Sequence, residues 1–90
     1  MSSLVKSAQA GTLESSDILI MVAPAEPGSG ITIELVSPTM HQFGDQIKEV
    51  ITKTLLSESV RDAIVHANDK GAWDYAIEAR VKAAVKRAIG

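Results

Sequence analysis

The spacing of apolar residues predicts three strands in the first part of the chain. Residues 7–13 form a modest run rich in small side chains, in which Gly11 marks a bulge or a close approach of the backbone. Residues 18–23 are all apolar, which is typical of a strand covered on both faces or central in its sheet. Residues 31–37 alternate, as in a half-buried strand. The four polar residues 14–17 predict that the first two strands form a hairpin.

A helix is predicted after Pro38. Ser37 or Thr39 can cap it, and Thr39 with Gln42 has capping-box spacing. Gly44 costs about 1 kcal/mol relative to alanine in a helix, which indicates a ragged first turn or close packing there. The apolar stripe of this helix is predicted to be buried and comprises Met40, Phe43, Ile47, Val50, Ile51, Thr54 and Leu55.

The end of the chain predicts a fourth strand and a second helix. Residues 60–67 contain a short apolar segment typical of a strand, and residues 68–71 have the composition of a turn. Earlier in the chain, Pro27 and Gly28 suit the central positions of a type II turn. The buried stripe of the last helix is predicted to comprise Trp73, Ile77, Val81, Ala84, Val85 and Ala88.

The order of these elements predicts an α+β fold, βββαβα. A strand-helix-strand crossover within one sheet is right-handed and makes its two strands parallel. We therefore expect a mixed four-stranded sheet with both helices packed on one face. The uniformly apolar second strand indicates that the other face is partly covered, by a partner subunit for example. A chain of 90 residues predicts one domain, residues 1–90.

Composition excludes several classes of function. The net charge is −2, and the only aromatic residues are Phe43, Trp73 and Tyr75. Neither a phosphate-neutralising surface nor a stacking platform for nucleic acid is therefore expected, which also disfavours an RNA-binding module. The chain has no cysteine, so an acyl group carried as a thioester would need a sulfur from a prosthetic group.

The chain is expected to be cytoplasmic and to make no membrane contact. Its longest apolar run, residues 18–23, is far too short to span a bilayer, and its start is unlike a signal peptide. His41 and His66 lie in different predicted elements without metal-ligand spacing, so no metal is expected.

The segment Gly11-Thr12-Leu13-Glu14-Ser15-Ser16-Asp17 resembles the attachment segment of the acyl carrier subunit of citrate lyase, the gamma subunit. The likeness continues through Gln42-Phe43-Gly44-Asp45, Asn68-Asp69-Lys70-Gly71-Ala72 and Ala79-Arg80, so it covers most of the chain in order. The resemblance implies that Ser15 carries 2'-(5''-phosphoribosyl)-3'-dephospho-coenzyme A through a phosphodiester. Ser16 stands where the family often has a different small residue.

The resemblance also implies partners. The thiol of the group would hold an acetyl or citryl thioester while the alpha subunit, an acyl transferase, and the beta subunit, an acyl lyase, convert citrate to acetate and oxaloacetate. A separate transferase would modify the serine. The carrier subunits of citramalate lyase and malonate decarboxylase bear the same kind of group, so the substrate stays open.

The local residues alone leave other interpretations open. Ser15 can be a turn serine that bonds its own backbone, since a serine hydroxyl is a poor nucleophile without a base. Glu14 and Asp17 are predicted to form the turn and to offer docking charges to the modifying enzyme. Glu14, Ser16, Asp17 and Gly71 are further predicted contacts of the group. For Gly71 the reason is that the free N–H groups at the helix start after it suit a phosphate.

Two alternatives concern surfaces rather than the serine. Four basic residues of the last helix form either a solvated face or a docking or phosphate-contact surface: Arg80, Lys82, Lys86 and Arg87. The chain as a whole can also be a non-catalytic adaptor that binds a partner through the open sheet face or the basic helix, with Ser15 unmodified.

Overall fold

The structure is a computed structural model that describes residues 3–89. Its elements are β1 (Ala8–Gly11), β2 (Ile18–Pro24), β3 (Ile31–Val36), α1 (Met40–Ser57), β4 (Ala63–Asp69) and α2 (Asp74–Ile89). This order confirms the predicted βββαβα arrangement.

The four strands form one mixed sheet in the order β1-β2-β4-β3. β2 pairs antiparallel with β1 and with β4, whereas β3 and β4 are parallel because α1 crosses over between them. β2 is therefore a central strand, which confirms one of the two interpretations of its apolar run. It is covered on one face only, since Ile18, Ile20 and Val22 are buried while Met21 is exposed.

The core lies between the sheet and the two helices. Alternate residues of β2 and β4 point into it, and each helix adds one aliphatic stripe. The opposite face of the sheet carries Met21, Ile64 and Val36 as exposed apolar side chains. Within residues 3–89 no element packs on that face, so its cover by a partner stays a prediction. No helix in the same range is long and apolar enough to span a bilayer.

Two predictions for the start of α1 differ from the structure. Thr39 is the N-cap residue, but its side chain makes no cap hydrogen bond, because its hydroxyl lies 3.1 Å from the Ser37 hydroxyl instead; the capping box was wrong. Met40 and Phe43 were predicted to be buried but are exposed. Gly44 is buried in regular helix, and an added Cβ would lie 3.0 Å from Met40 Sδ, which confirms close packing.

Two further predictions, both for the end of the chain, differ from the structure. β4 runs over Ala63–Asp69 rather than residues 60–67, so the predicted turn at 68–71 is shorter. Trp73 was predicted to lie on the buried stripe of the last helix, but α2 begins after it. The Trp73 carbonyl accepts the N–H groups of Ala76 and Ile77 at 2.9 and 3.0 Å, which leaves the indole exposed at the helix start.

Candidate functional site: the Ser15 turn

The Ser15 turn is the connection between β1 and β2, residues 12–17. β1 ends earlier than predicted because Gly11 adopts φ +101°, a conformation that favours glycine. A Cβ on Gly11 would overlap the Ile18 carbonyl oxygen. The chain thus leaves the ladder at Gly11, and the connection has six residues, 12–17, rather than the four that were predicted.

Ser15 occupies the tip of this connection. The Asp17 N–H donates to the Glu14 carbonyl at 3.1 Å, which closes a β-turn around Ser15 and Ser16. Ser16 has φ 66°, as the second central residue of a type II turn requires. Ser15 is exposed, and its hydroxyl makes no side-chain hydrogen bond to any residue in the range 3–89. The oxygen therefore faces solvent with no partner among these residues.

Asp17 holds the C-terminal end of the turn. Arg80 of α2 binds its carboxylate with two bonds, Nε to Oδ1 at 3.0 Å and Nη2 to Oδ2 at 2.8 Å. The Thr12 hydroxyl donates to Oδ2 at 2.6 Å, and the Ile18 N–H donates to Oδ1 at 2.7 Å. Bidentate arginine-carboxylate pairs fix orientation as well as distance. Asp17 thus ties both ends of the connection to α2.

The same contacts keep Asp17 ionised. The hydrogen bond from Arg80, followed by that from Thr12, lowers the pKa of the Asp17 carboxyl from 3.8 to about 2. A carboxylate held this acidic is a poor proton acceptor, so Asp17 is not suited to activate the Ser15 hydroxyl. Its role in the structure is to brace the turn.

Low pH should weaken the hydrogen bonds by which the Asp17 carboxylate holds the turn. The folded pKa lies below the unfolded value, so the stabilisation is complete above about pH 4 and is lost as the pH falls towards 2. We expect wild-type unfolding free energy to fall over this range by up to about 2 kcal/mol more than that of an Asp17→Asn variant. Urea unfolding of both proteins at a series of pH values measures the difference. Parallel pH profiles for the two proteins would contradict this role of Asp17.

The backbone of Lys70 holds the other side of the turn. The Ser16 N–H donates to the Lys70 carbonyl at 2.8 Å, and the Lys70 N–H donates to the Asp17 carbonyl at 2.9 Å. These bonds continue the β2–β4 ladder, whose last pair is Ile18 with Asp69. The turn is therefore bonded through its main chain to the centre of the sheet.

Asp69 fixes the segment that contains Lys70. Its carboxylate is buried and accepts the Ala72 N–H at 2.9 Å and the Ser37 hydroxyl at 2.8 Å. Buried polar groups need such partners, so this segment has a defined path. Gly71, with φ +94°, is exposed between Lys70 and the start of α2. Three segments that are distant in sequence thus meet here: residues 11–17, residues 68–72 and Arg80.

The predicted contacts of the prosthetic group differ in their surroundings. Ser16 and Asp17 adjoin Lys70, whereas the Glu14 side chain is exposed at the turn. Asp74 lies in the first turn of α2, where its carboxylate faces the positive end of the helix dipole. A phosphate beyond Gly71 would meet this negative charge, and that contact stays a prediction.

The basic residues of α2 do not form one patch. Arg80 binds Asp17, and Arg87 Nη1 donates to the Gln9 carbonyl at 2.7 Å. Arg80 and Arg87 thus hold the β1–β2 hairpin against α2. The interpretation of the four basic residues as a wholly solvated face was wrong for these two. Sequence reasoning missed this role because each partner lies more than sixty residues away.

No catalytic constellation accompanies the turn within the described residues. His66 Nδ1 lies 3.4 Å from Glu34 Oε2, on strands β4 and β3, and both side chains are largely exposed. No group of three or more His, Asp or Glu side chains in residues 3–89 could hold a metal ion. The candidate site is the Ser15 hydroxyl itself.

An aromatic groove lies next to the segment 69–72, whose Lys70 backbone is hydrogen-bonded to the turn. It has a volume of about 480 Å³ and opens between the start of α1 and the segment that leads into α2. Phe43, Trp73 and Tyr75 line it, with 47%, 67% and 73% of their surface exposed. Sequence reasoning placed the first two in the core and so missed that all three aromatic residues of the chain meet on the surface.

A small α+β domain that presents exposed serine hydroxyls on a braced turn, with Ser15 at its tip, has the form of a carrier domain. Residues 5–88 match the protein family described as ACP, malonate decarboxylase delta subunit (MdcD). The citrate lyase acyl carrier protein of Weissella paramesenteroides is 54% identical over 84 residues, which are 93% of this chain and 84% of that protein. That of Halothermothrix orenii is 47% identical over 83 residues, 92% of this chain and 86% of its own. This chain belongs to that family of acyl carrier proteins.

The fold is also found in a solved structure. A chain in the crystal structure of a Pseudomonas malonate decarboxylase hetero-tetramer in complex with malonate superposes with a TM-score of 0.77. The superposition covers 99% of this chain and 89% of that one, at 15% sequence identity. The architecture is therefore shared well beyond the range of close sequence similarity.

Proposed function

We propose that this chain is the acyl carrier subunit of a citrate lyase and that Ser15 is the residue to which its prosthetic group is attached. The observation that carries the proposal is the free, exposed hydroxyl at the tip of a braced turn. A modifying enzyme needs access to such an oxygen, and the arm attached there needs room to move. The names of the curated relatives support citrate lyase over the citramalate and malonate systems.

The prosthetic group in this proposal is 2'-(5''-phosphoribosyl)-3'-dephospho-coenzyme A, whose thiol supplies the thioester chemistry that a cysteine-free chain lacks. The residues around Ser15 fit an attachment role. Asp17, Arg80 and Lys70 hold the turn by its ends, so the hydroxyl keeps its position without a bond to any of them. No charged side chain within residues 3–89 bonds Ser15, and the general base for attachment is therefore assigned to the modifying enzyme.

The contribution of the carrier is effective concentration. A covalently held acyl group meets each active site as an intramolecular partner, which raises its local concentration to the millimolar range without new contacts. The proposal assigns the acyl transfer and cleavage steps to the alpha and beta subunits, and attachment to a separate transferase. The Pseudomonas hetero-tetramer, in which the similar fold occurs, supports a place in an assembly with other subunits. We propose the cytoplasm as the location of this assembly.

Intact-mass measurement tests this function directly. The chain is expressed with and without the prosthetic-group transferase of a citrate lyase system, and the intact masses of the two products are measured. We expect the first to gain the mass of one phosphoribosyl-dephospho-coenzyme A and the second to have the mass of the bare chain. An unchanged mass in both, with an active transferase shown on a citrate lyase carrier protein, would contradict the carrier function and favour a non-catalytic adaptor.

A further inference from the structure

The aromatic groove defined above adjoins the attachment turn through the backbone. Lys70, which is bonded to Ser16 and Asp17, is followed directly by Gly71 and Ala72, and both of these line the groove. Trp73 comes next. Three residues of chain span at most roughly 11 Å, so the Cα atom of Trp73 lies within that distance of the Cα atom of Lys70. The attachment turn and the groove are thus joined by one short segment, residues 70–73.

The lining of the groove selects for an uncharged ring. Phe43, Trp73 and Tyr75 are its aromatic lining, and the charged residues in the lining are Asp69 and Asp74. No lysine or arginine lines it, so the groove suits an uncharged ring and the phosphates of a bound ligand would have to lie outside it. Stacking on exposed aromatic side chains is the usual way in which proteins hold a nucleobase without reading its sequence.

The polar rim adds acceptors and donors that suit a purine. Asp74 carries a carboxylate whose two oxygens lie 3.3 Å from Gln46 Nε2, and both residues line the groove. A carboxylate accepts hydrogen bonds from an exocyclic amino group, and an amide both donates and accepts. Adenine presents an amino group beside a ring nitrogen, which matches this pair.

We propose that the aromatic groove holds the adenine ring of the arm attached at Ser15. This inference rests on the proposed function. In that prosthetic group the phosphoribosyl unit joins the serine to the 2' position of the adenosine, so the adenine lies near the anchor and the thiol lies at the far end. Docking the base leaves the pantetheine part free. The moving part of the arm then starts from the groove rather than from Ser15.

Fluorescence of Trp73 tests the groove, because it is the only tryptophan of the chain. The bare and the modified proteins are compared by acrylamide quenching, with the attached group verified by mass. We expect modification to lower the quenching constant of Trp73 by roughly two-fold or more, since the base covers the indole at a high effective concentration. Equal quenching in the two proteins would overturn the inference and leave the proposed function standing.

Two matched variants separate stacking from a general effect of the arm. Phe43→Ala removes one wall of the groove, whereas Leu56→Ala removes an exposed apolar side chain at the other end of the same helix. In the modified proteins we expect Phe43→Ala to return Trp73 quenching towards the bare value and Leu56→Ala to leave it protected. Protection that appears only when the large subunits are added would overturn the inference and assign the groove to a partner. A chain that gains no mass contradicts the proposed function, and the inference falls with it.

Discussion

A Ser15→Ala variant is expected to gain no prosthetic group and, when combined with the large subunits of a citrate lyase, to cleave citrate at background level. The loss should be roughly 100-fold or more, because an untethered acyl group no longer has the effective concentration that attachment gives it. The fold should be unaffected, since the Ser15 side chain is exposed and bonded to no described residue. A change in unfolding free energy within about 0.5 kcal/mol is expected.

Ser16 provides the matched control for this prediction. It is the neighbouring hydroxyl, and its φ of 66° is one that glycine adopts without strain. A Ser16→Gly variant should therefore keep the turn, accept the prosthetic group and support cleavage. Full modification of Ser15→Ala, together with loss of modification in Ser16→Gly, would move the attachment point to Ser16.

Gly11→Ala is expected to lower the stability of the protein more than any other single substitution in the hairpin. The backbone there has φ +101°, and the new Cβ would overlap the Ile18 carbonyl oxygen, which belongs to the rigid central strand. Neither atom has room to move, because Gly11 pairs with Leu19 and Ile18 pairs with Asp69. We expect a loss of roughly 3 kcal/mol or more in unfolding free energy and a Tm lower by more than about 10 °C.

Gly28 separates the two causes of this loss. It also has a positive φ, +86°, but an added Cβ would meet no atom within 4 Å. Gly28→Ala should therefore cost only the backbone strain, about 1 kcal/mol. Thermal and urea unfolding of both variants measure the difference. Equal losses in the two would show that the overlap with Ile18 is relieved by a small shift of the chain and that the hairpin is less rigid than described.

Periodicity along the chain was enough to predict the architecture. The apolar run at residues 18–23 indicated the central strand, and the alternation at residues 31–37 indicated a half-buried one. Two strands joined by a helix can then only be parallel neighbours or near neighbours in one sheet. The Pro27-Gly28 turn was also predictable, since its φ requirement is local; Gly28 has φ +86°, and the Ser29 N–H donates to the Glu26 carbonyl at 3.0 Å.

The bracing of the candidate site could not be predicted in the same way. Asp17 and Arg80 are far apart in the chain, and nothing in their spacing signals that α2 passes beside the hairpin. The bonds from Lys70 to the turn depend on the register of β2 against β4, which periodicity does not supply. The resemblance covers residues 11–17, 68–72 and 79–80, and the structure gives a physical reason for these three: they are hydrogen-bonded together at one turn.

The aromatic residues show where periodicity misleads. Phe43 and Trp73 both fall on an apolar stripe at helical spacing, and a large apolar side chain there is usually in the core. α2 begins only at Asp74, however, and Phe43 lies on a part of the first turn of α1 that stays exposed. Exposed large apolar side chains that gather in one place call for a functional explanation, and the proposed adenine site provides one.

The most direct test of Ser15 as the attachment residue is to locate the attached group within the modified wild-type protein. Fragment-ion mass spectrometry of the peptide that contains residues 11–17 assigns the added mass to a single side chain. We expect all of it on Ser15, the residue at the exposed tip of the braced turn. Attachment at Ser16, or at a residue outside the turn, would contradict this assignment.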